Sequence, residues 1–275
     1  MKSKVILILV TLSFYSCHSS FQHLNRGLIK EKEGDFEGAI IDYTKAIEVD
    51  PNNAQAYFNR GNVKSRSGDF EGAIADYSNA IDINPGYAEA YFNRGLVKEQ
   101  INDFPGAIDD YSKTLEISPK NTAAYINRGN VRAYIGDHEK AIEDFCSALE
   151  IDPTQELAYV NRGISRANSG DYEGALDDYN HVIETSPDNP FAYYNRGNLR
   201  VKIGNNHEAL EDYTKAITFN PNYAKAYYNR GIALINLKGF EYAIKNFEKA
   251  SQLDPKLKDK ANRRIKYCRS QQKRF

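Results

Sequence analysis

The triplet Asn-Arg-Gly recurs seven times, beginning at Asn25, Asn59, Asn93, Asn127, Asn161, Asn195 and Asn229, and every step is 34 residues. A fixed period of that length confines the chain to stacked supersecondary units. Each is too small to bury its own apolar face and is completed by its neighbour. The repeat from Ala54 to Tyr87 shows how. Its first half, AQAYFNRGNVKSRS, sets Ala56, Tyr57, Gly61 and Val63 on a helical stripe. Gly68 stops that helix, since glycine takes positive φ at little steric cost, and Asp69 is placed to cap the next one. The second half repeats apolar residues at Phe70, Ala73, Ile74, Tyr77, Ala80 and Ile81, the period of a second amphipathic helix, which Pro85 ends. Two helices of about 14 residues joined by a tight turn are expected.

The small residues keep register too. Gly61 and Ala73 have counterparts in every repeat: Gly27/Ala39, Gly95/Ala107, Gly129/Ala141, Gly163/Ala175, Gly197/Ala209 and Gly231/Ala243. Glycine inside a helix costs roughly 1 kcal/mol against alanine, so its recurrence predicts close helix–helix contact at that point. The closing prolines Pro51, Pro85, Pro119, Pro153, Pro187, Pro221 and Pro255 are likewise in register.

These residues carry a resemblance to the tetratricopeptide repeat, whose positions 4, 8, 20, 24, 27 and 32 read Tyr57, Gly61, Ala73, Tyr77, Ala80 and Pro85 here. The departures are His23 for the aromatic in repeat one, Thr114 and Val182 for alanine, Asn102 for the turn glycine, and arginine throughout at position 7. The resemblance implies an all-α, right-handed superhelical solenoid of seven helix-turn-helix repeats, at about 20–53, 54–87, 88–121, 122–155, 156–189, 190–223 and 224–257. A basic helix over 258–275 follows them. Leu257, Ala261, Ile265 and Cys268 form its one apolar stripe, suited to cap repeat seven.

The N-terminus stands outside the repeats. A short basic start, Met1 to Lys4, precedes an apolar run from Val5 to Tyr15, too short to cross roughly 30 Å of hydrocarbon as a helix and so read as a signal peptide over 1–16. Phe14-Tyr15-Ser16-Cys17 resembles a relaxed bacterial lipobox, which would make Cys17 a lipidation site and 17–19 a short anchored linker. That reading places the chain in the bacterial cell envelope as a membrane-anchored lipoprotein. Plain secretion to the periplasm or medium, or a cytosolic chain with an apolar start, are the alternatives. Cys146 and Cys268 are expected to be unpaired.

Charge excludes one class of partner. The tail from Lys256 holds nine basic residues and one acidic, a net +8. With Lys2 and Lys4 also set aside, the repeats carry −11 of the total −1. An acidic array is a poor nucleic-acid binder. The basic tail as an anionic-lipid or nucleic-acid patch is the rival to its capping role.

Two sets of residues stand out. Arginine at position 7 (Arg60, Arg94 and their counterparts) is matched by aspartate at position 23 (Asp76, Asp110 and theirs), with a second base one turn on, such as Lys64 or Lys98. In repeat seven the aspartate becomes Asn246 and the second base Leu234. A guanidinium meets a carboxylate bidentately, so this is read as an ionic network that sets helix register, not as a ligand site. The second set is the asparagine at position 6. By the resemblance, positions 2, 5, 6, 9, 12 and 13 line a concave groove, which makes Asn59, Asn93, Asn127, Asn161, Asn195 and Asn229 a column of amides. Position 9 adds Asn62, Asn130 and Asn198, and position 5 an apolar column with Phe58, Phe92, Tyr194 and Tyr228. An amide both donates and accepts, so such a column suits the backbone of an extended peptide; the competing reading is a residue that bonds neighbouring helices.

No H-E-x-x-H, C-x-x-C, G-x-G-x-x-G or G-x-x-x-x-G-K motif is present, and the five histidines fall at unrelated repeat positions. The lysines by which some tetratricopeptide repeats clamp a chaperone C-terminus are absent from positions 5 and 6. The expectation is a non-enzymatic scaffold or adaptor that holds a protein or extended peptide, without cofactor, metal or small-molecule substrate. A self-assembling structural protein and a regulatory subunit of a separate enzyme are the alternatives.

Overall fold

The computed structural model describes residues 19–272, and these are all-α, with fifteen helices, one 3-10 turn and no strand. The helices form two compact units, one ending at Ile135 and the other starting at Gly136. The first holds α1 (19–33), α2 (Phe36–Val49), α3 (Ala54–Arg66), α4 (Phe70–Ile83), α5 (Ala88–Gln100), α6 (Phe104–Ile117) and α7 (Thr122–Tyr134). The second holds α8 (His138–Ile151), α9 (Glu156–Ser169), α10 (Tyr172–Thr185), α11 (Pro190–Lys202), α12 (Asn206–Phe219), α13 (Ala224–Asn236) and α14 (Phe240–Leu253). A 3-10 turn at Pro255–Leu257 then leads into α15 (Lys258–Gln272). Residues 1–16 and Cys17, on which the signal-peptide and lipidation readings rest, lie outside the described residues. None of the described helices is long and apolar enough to cross a membrane.

Each repeat folds as its chemistry dictates. Asp35, Asp69, Asp103 and Asp171 sit before a second helix and accept the backbone N–H of Gly38, Gly72, Gly106 and Gly174 at 2.9–3.1 Å. Such a cap contributes about 1 kcal/mol by satisfying an orphan donor of the first turn. The turn residue before each cap takes positive φ: +84° at Gly68 and +96° at Gly170, and also +62° at Asn102 and +61° at Lys238. Asn102 is the substitution the repeat pattern exposes. Lys238 is a second one, and it places a side chain with Cβ where glycine is comfortable.

The glycine at position 8 is required by a ring, not by a backbone. A Cβ on Gly61 would lie 2.9 Å from Cε1 of Tyr77, and one on Gly231 2.8 Å from Phe247. The aromatic of position 24 therefore packs directly against the first helix of its own repeat. That ring, the alanine of position 20 and the position-10 residue of the next repeat form one cluster: Tyr43, Ala39 and Val63, then Tyr77, Ala73 and Val97, and in the second unit Tyr179, Ala175 and Leu199. In these repeats the core is thus closed by the successor. Thr114 and Val182, which replace alanine at position 27, are fully buried. The threonine hydroxyl is satisfied by donating to the Asp110 carbonyl at 2.9 Å.

After repeat seven the successor is α15. Ala261, Ile265 and Cys268 are buried against Ala243 and Phe247, while Leu257 sits half-buried in the preceding 3-10 turn. The cap is therefore made by three of the four residues of the predicted stripe. Cys146 and Cys268 are free thiols.

Candidate functional site: the amide-lined face of the first helices

The arginine of position 7 is a packing device. Arg60 donates through Nε and Nη2 to both oxygens of Asp76, at 2.9 and 2.7 Å, and Lys64 Nζ lies 2.8 Å from the same carboxylate. Arg94–Asp110–Lys98, Arg162–Asp178–Arg166 and Arg196–Asp212–Arg200 repeat the arrangement. Two further partners complete the guanidinium's surroundings. Nη1 reaches the second helix of the preceding repeat at position 25: Thr44 from Arg60, Ser78 from Arg94 and Ser112 from Arg128, each at 2.9 Å, and Cys146 Sγ from Arg162 at 3.3 Å. The tyrosine one turn earlier, Tyr57 under Arg60 or Tyr193 under Arg196, lies 5.6 Å below the guanidinium. Burial works against the charge on Arg94, and its bonds to Asp110 outweigh that, holding its pKa above the ordinary value. Arginine therefore joins two repeats and is committed to the fold. The link to position 25 was legible in the run of small polar residues there, but only once the preceding repeat is known to lie beside it.

The asparagines divide by surroundings. Asn59 is 6 % exposed; its Oδ1 accepts from Gln55 Nε2 at 2.8 Å, and Gln55 in turn accepts from the Tyr87 hydroxyl at 3.0 Å. It lies beneath the face it was expected to line, and its Nδ2 is buried without a partner. Asn93 and Asn229 are half-buried and donate to the position-9 asparagine of the preceding repeat: Asn93 Nδ2 to Asn62 Oδ1 at 2.8 Å, and Asn229 Nδ2 to Asn198 Oδ1 at 2.7 Å. Those same oxygens accept the Tyr77 and Tyr213 hydroxyls at 2.8 and 2.9 Å. Asn195 donates only to its own helix, at the Phe191 carbonyl. Asn127 and Asn130 on α7 and Asn161 on α9 are half-buried.

The position-5 rings pack downward. Phe58 lies 5.9 Å from Tyr77 and 4.8 Å from Tyr87, Phe92 5.7 Å from Tyr111, Tyr194 4.7 Å from Tyr223, and Tyr228 5.2 Å from Phe247. They are half-buried floor, not free anchors. In each unit a cleft opens between neighbouring first helices, the two built at equivalent repeat positions. One, of about 240 Å³, lies between α3 and α5 and includes Asn62, Arg66, Asn93 and Gln100. The other, of about 170 Å³, lies between α9 and α11 and includes Asn168, Asn195, Asn198 and Lys202. With one Asn62 oxygen receiving both Tyr77 and Asn93, the Asn62 amide N–H groups and the Asn93 carbonyl oxygen remain to meet a ligand: donor and acceptor together, the complement of a peptide group. No group of three or more His, Cys, Asp or Glu arranged to hold a metal occurs among the described residues.

A tetratricopeptide repeat model matches residues 27–68, 65–102, 165–204 and 197–238, more than half of the chain. Related models of the same repeat match 88–121, 122–155 and 224–257. The chain belongs to the tetratricopeptide repeat family. Among solved tetratricopeptide structures, a protein from Parabacteroides merdae ATCC 43184 is 22 % identical, covering 91 % of this chain and 99 % of its own with a TM-score of 0.69, a likeness of fold. YrrB, a tetratricopeptide protein with an unusual peptide-binding site, is 29 % identical over 67 % of this chain and 95 % of its own, with a TM-score of 0.60. MamA is 28 % identical over 62 % of this chain and 92 % of its own, with a TM-score of 0.54. No curated protein sequence matches the chain.

Proposed function

We propose that this tetratricopeptide protein is a non-enzymatic scaffold that holds an extended segment of a partner protein against the first-helix face of a unit, at the cleft each unit carries. The observation that carries the reading is the recurrence of the Asn62–Asn93 bond as Asn198–Asn229, which in each unit fixes side-chain amides on the first-helix face. Preformed donors and acceptors bind an extended backbone at small entropic cost and without demanding particular side chains. The peptide-binding site of YrrB, at 29 % identity, is in keeping with it.

The test compares the native chain with an Asn127→Ala/Asn195→Ala variant in affinity capture from native membranes, with circular dichroism to establish that helicity is kept. Asn195 is chosen because its one bond is to its own helix, so its removal spares the fold. Loss of the partner from the variant supports the groove; equal retention moves binding to other surfaces.

From the lipobox-like Phe14-Tyr15-Ser16-Cys17 we further propose that the scaffold belongs to a bacterial envelope complex, anchored by a lipid on Cys17 with only His18 and Ser19 before repeat one. Metabolic labelling with an alkyne fatty acid is the check. Label on the native chain and none on Cys17→Ser is the expected result, and an unlabelled native chain removes the anchor.

A further inference from the structure

Position 24 holds a buried tyrosine in five repeats, and a buried phenol needs an acceptor for its proton. Four of the five find one in their own repeat. Tyr43 donates to Glu31 Oε2 at 2.8 Å and Tyr111 to Glu99 Oε2 at 2.9 Å, both glutamates at position 12; Tyr77 donates to Asn62 and Tyr213 to Asn198, both at position 9. The fifth is Tyr179. In its repeat both acceptor positions are apolar: Ile164 stands at position 9 and Ala167 at position 12. Among the described residues no acceptor of the protein meets its hydroxyl. Yet Tyr179, only 1 % exposed, lines the cleft of about 170 Å³ between α9 and α11.

Repeat one shows what such a phenol takes when the chain supplies the group itself. Glu31 receives the Tyr43 hydroxyl on one oxygen, and its other oxygen lies 2.8 Å from Nη1 of Arg66, the position-13 residue of the next repeat. Lys202 is the position-13 residue of the repeat that follows Tyr179. Its Nζ donates to the carbonyl of Ala167 at 2.9 Å and lies 4.9 Å from the Tyr172 ring centroid, which holds it at the residue whose counterpart is Glu31. Phenol and base are thus set as they are around Glu31, with a methyl group in place of the carboxylate. Lys202 is the one charged side chain lining the cleft, and its other polar groups are the amides of Asn168, Asn195 and Asn198.

We propose that Tyr179 and Lys202 form a subsite for a carboxylate of the bound segment. The inference rests on the groove reading above and adds to it a charge preference confined to repeats five and six. It differs from the chaperone clamp of the family, which draws its bases from positions 2, 5 and 6. Burial raises the pKa of the Tyr179 phenol well above its ordinary value, so the group stays a donor throughout the physiological range. A charge-assisted bond from a preplaced phenol, with an ammonium beside it, is the stronger class of hydrogen bond.

Three capped peptides test it against the full chain carrying ring-labelled tyrosine, with the Tyr179 resonance assigned as the signal that disappears in Tyr179→Phe. They are acetyl-Gly-Gly-Glu-Gly-Gly-amide, its Gln counterpart, and acetyl-pentaglycine with a free C-terminus. Saturable movement of the Tyr179 signal by a carboxylate-bearing peptide and not by the Gln peptide is expected, at a dissociation constant on the order of millimolar. Response to the Glu peptide assigns an acidic side chain, and response to the free acid alone assigns a chain terminus. Read at the labelled Tyr172 ring, 4.9 Å from Lys202 Nζ, binding should weaken at least about tenfold in Tyr179→Phe. It should be abolished in Ala167→Glu, which fills the position as Glu31 does and is expected to raise the melting temperature. Equal response to the Gln peptide, no response at Tyr179, or undiminished binding by Ala167→Glu overturns the subsite. If the Asn127→Ala/Asn195→Ala variant still loses its partner in that event, the groove reading stands without it.

Discussion

Repeat two and repeat seven share one architecture and hold it together differently. In repeat two, Asp76 is clasped by Arg60 and Lys64, Asp69 caps the second helix, and Gly68 makes the turn. In repeat seven, Arg230 meets the neutral Asn246 through a single bond at 2.8 Å, Gly239 precedes the second helix with no side-chain cap, and the turn falls on Lys238. The lost second base explains the lost carboxylate. Leu234 stands where Lys64 does in repeat two, and it packs on the cluster that α15 completes with Ala261, Ile265 and Cys268. A lysine there would have to bring its charge up against the cap. With no second base, a buried aspartate would be under-compensated, and asparagine gives Arg230 an acceptor without that cost. Burial accordingly lowers the Arg230 pKa, with no carboxylate to restore it, whereas that of Arg94 is raised by Asp110. The last repeat exchanges an ionic clasp for an apolar lid.

That contrast breaks most sharply at the carboxylate. Asp76→Ala leaves Arg60 and Lys64 facing each other partly buried and is expected to cost about 3 kcal/mol. Asn246→Ala removes one neutral acceptor and should cost about 1 kcal/mol. Urea denaturation compares the two midpoints, and equal shifts would mean the charge in repeat two adds nothing over an amide. The glycine of position 8 tests what the repeats share. Gly61→Ala and Gly231→Ala each press a methyl group into a ring at 2.9 or 2.8 Å, and each should cost about 2 kcal/mol, alike in both repeats. A much smaller loss for Gly231→Ala would show repeat seven to be the looser.

Smaller effects follow at the helix ends. Asp69→Ala should lose about 1 kcal/mol by uncapping α4, while Gly239→Asp should change repeat seven by only a few tenths, because glycine is itself tolerated as a cap. Lys238→Gly should gain about 0.5–1 kcal/mol by relieving a left-handed lysine, and Asn102→Gly less, since asparagine visits that region readily. Thermal melting orders the pair; a loss on Lys238→Gly would mean the lysine side chain does more than occupy the turn.

Much of this was open to a reader of the chain. Helix lengths, aspartate caps, the Arg–Asp pairs and the apolar stripe of α15 follow from local rules applied at a known period. The asparagines were not so readable. Asn59 and Asn93 occupy the same repeat position with the same flanking residues, Ala-Tyr-Phe before and Arg-Gly after, yet one bonds to Gln55 and the other across to Asn62. They differ in two neighbours: position 2 of their own repeat, Gln55 for Asn59 and Glu89 for Asn93, and position 9 of the preceding repeat, Leu28 before Asn59 and Asn62 before Asn93. The alternation of asparagine at position 9 was visible; that it serves Tyr77 and Tyr213 was not, because the phenol comes from the other helix of the hairpin. For the same reason Tyr179 looked like any other core tyrosine.

The sequence by itself determined the period, the two helices of each repeat, the residues that start and stop them, and the family. Those depend on backbone geometry and on partners at constant offsets within a repeat, so seven copies state the rule seven times. Only the tertiary structure decided which amides are spent on neighbours, why Leu234 stands where a base does elsewhere, and that Tyr179 and Lys202 share a cleft with Ala167 between them. Those depend on side chains brought together from different helices and adjacent repeats, where one substitution alters what its neighbour can bond.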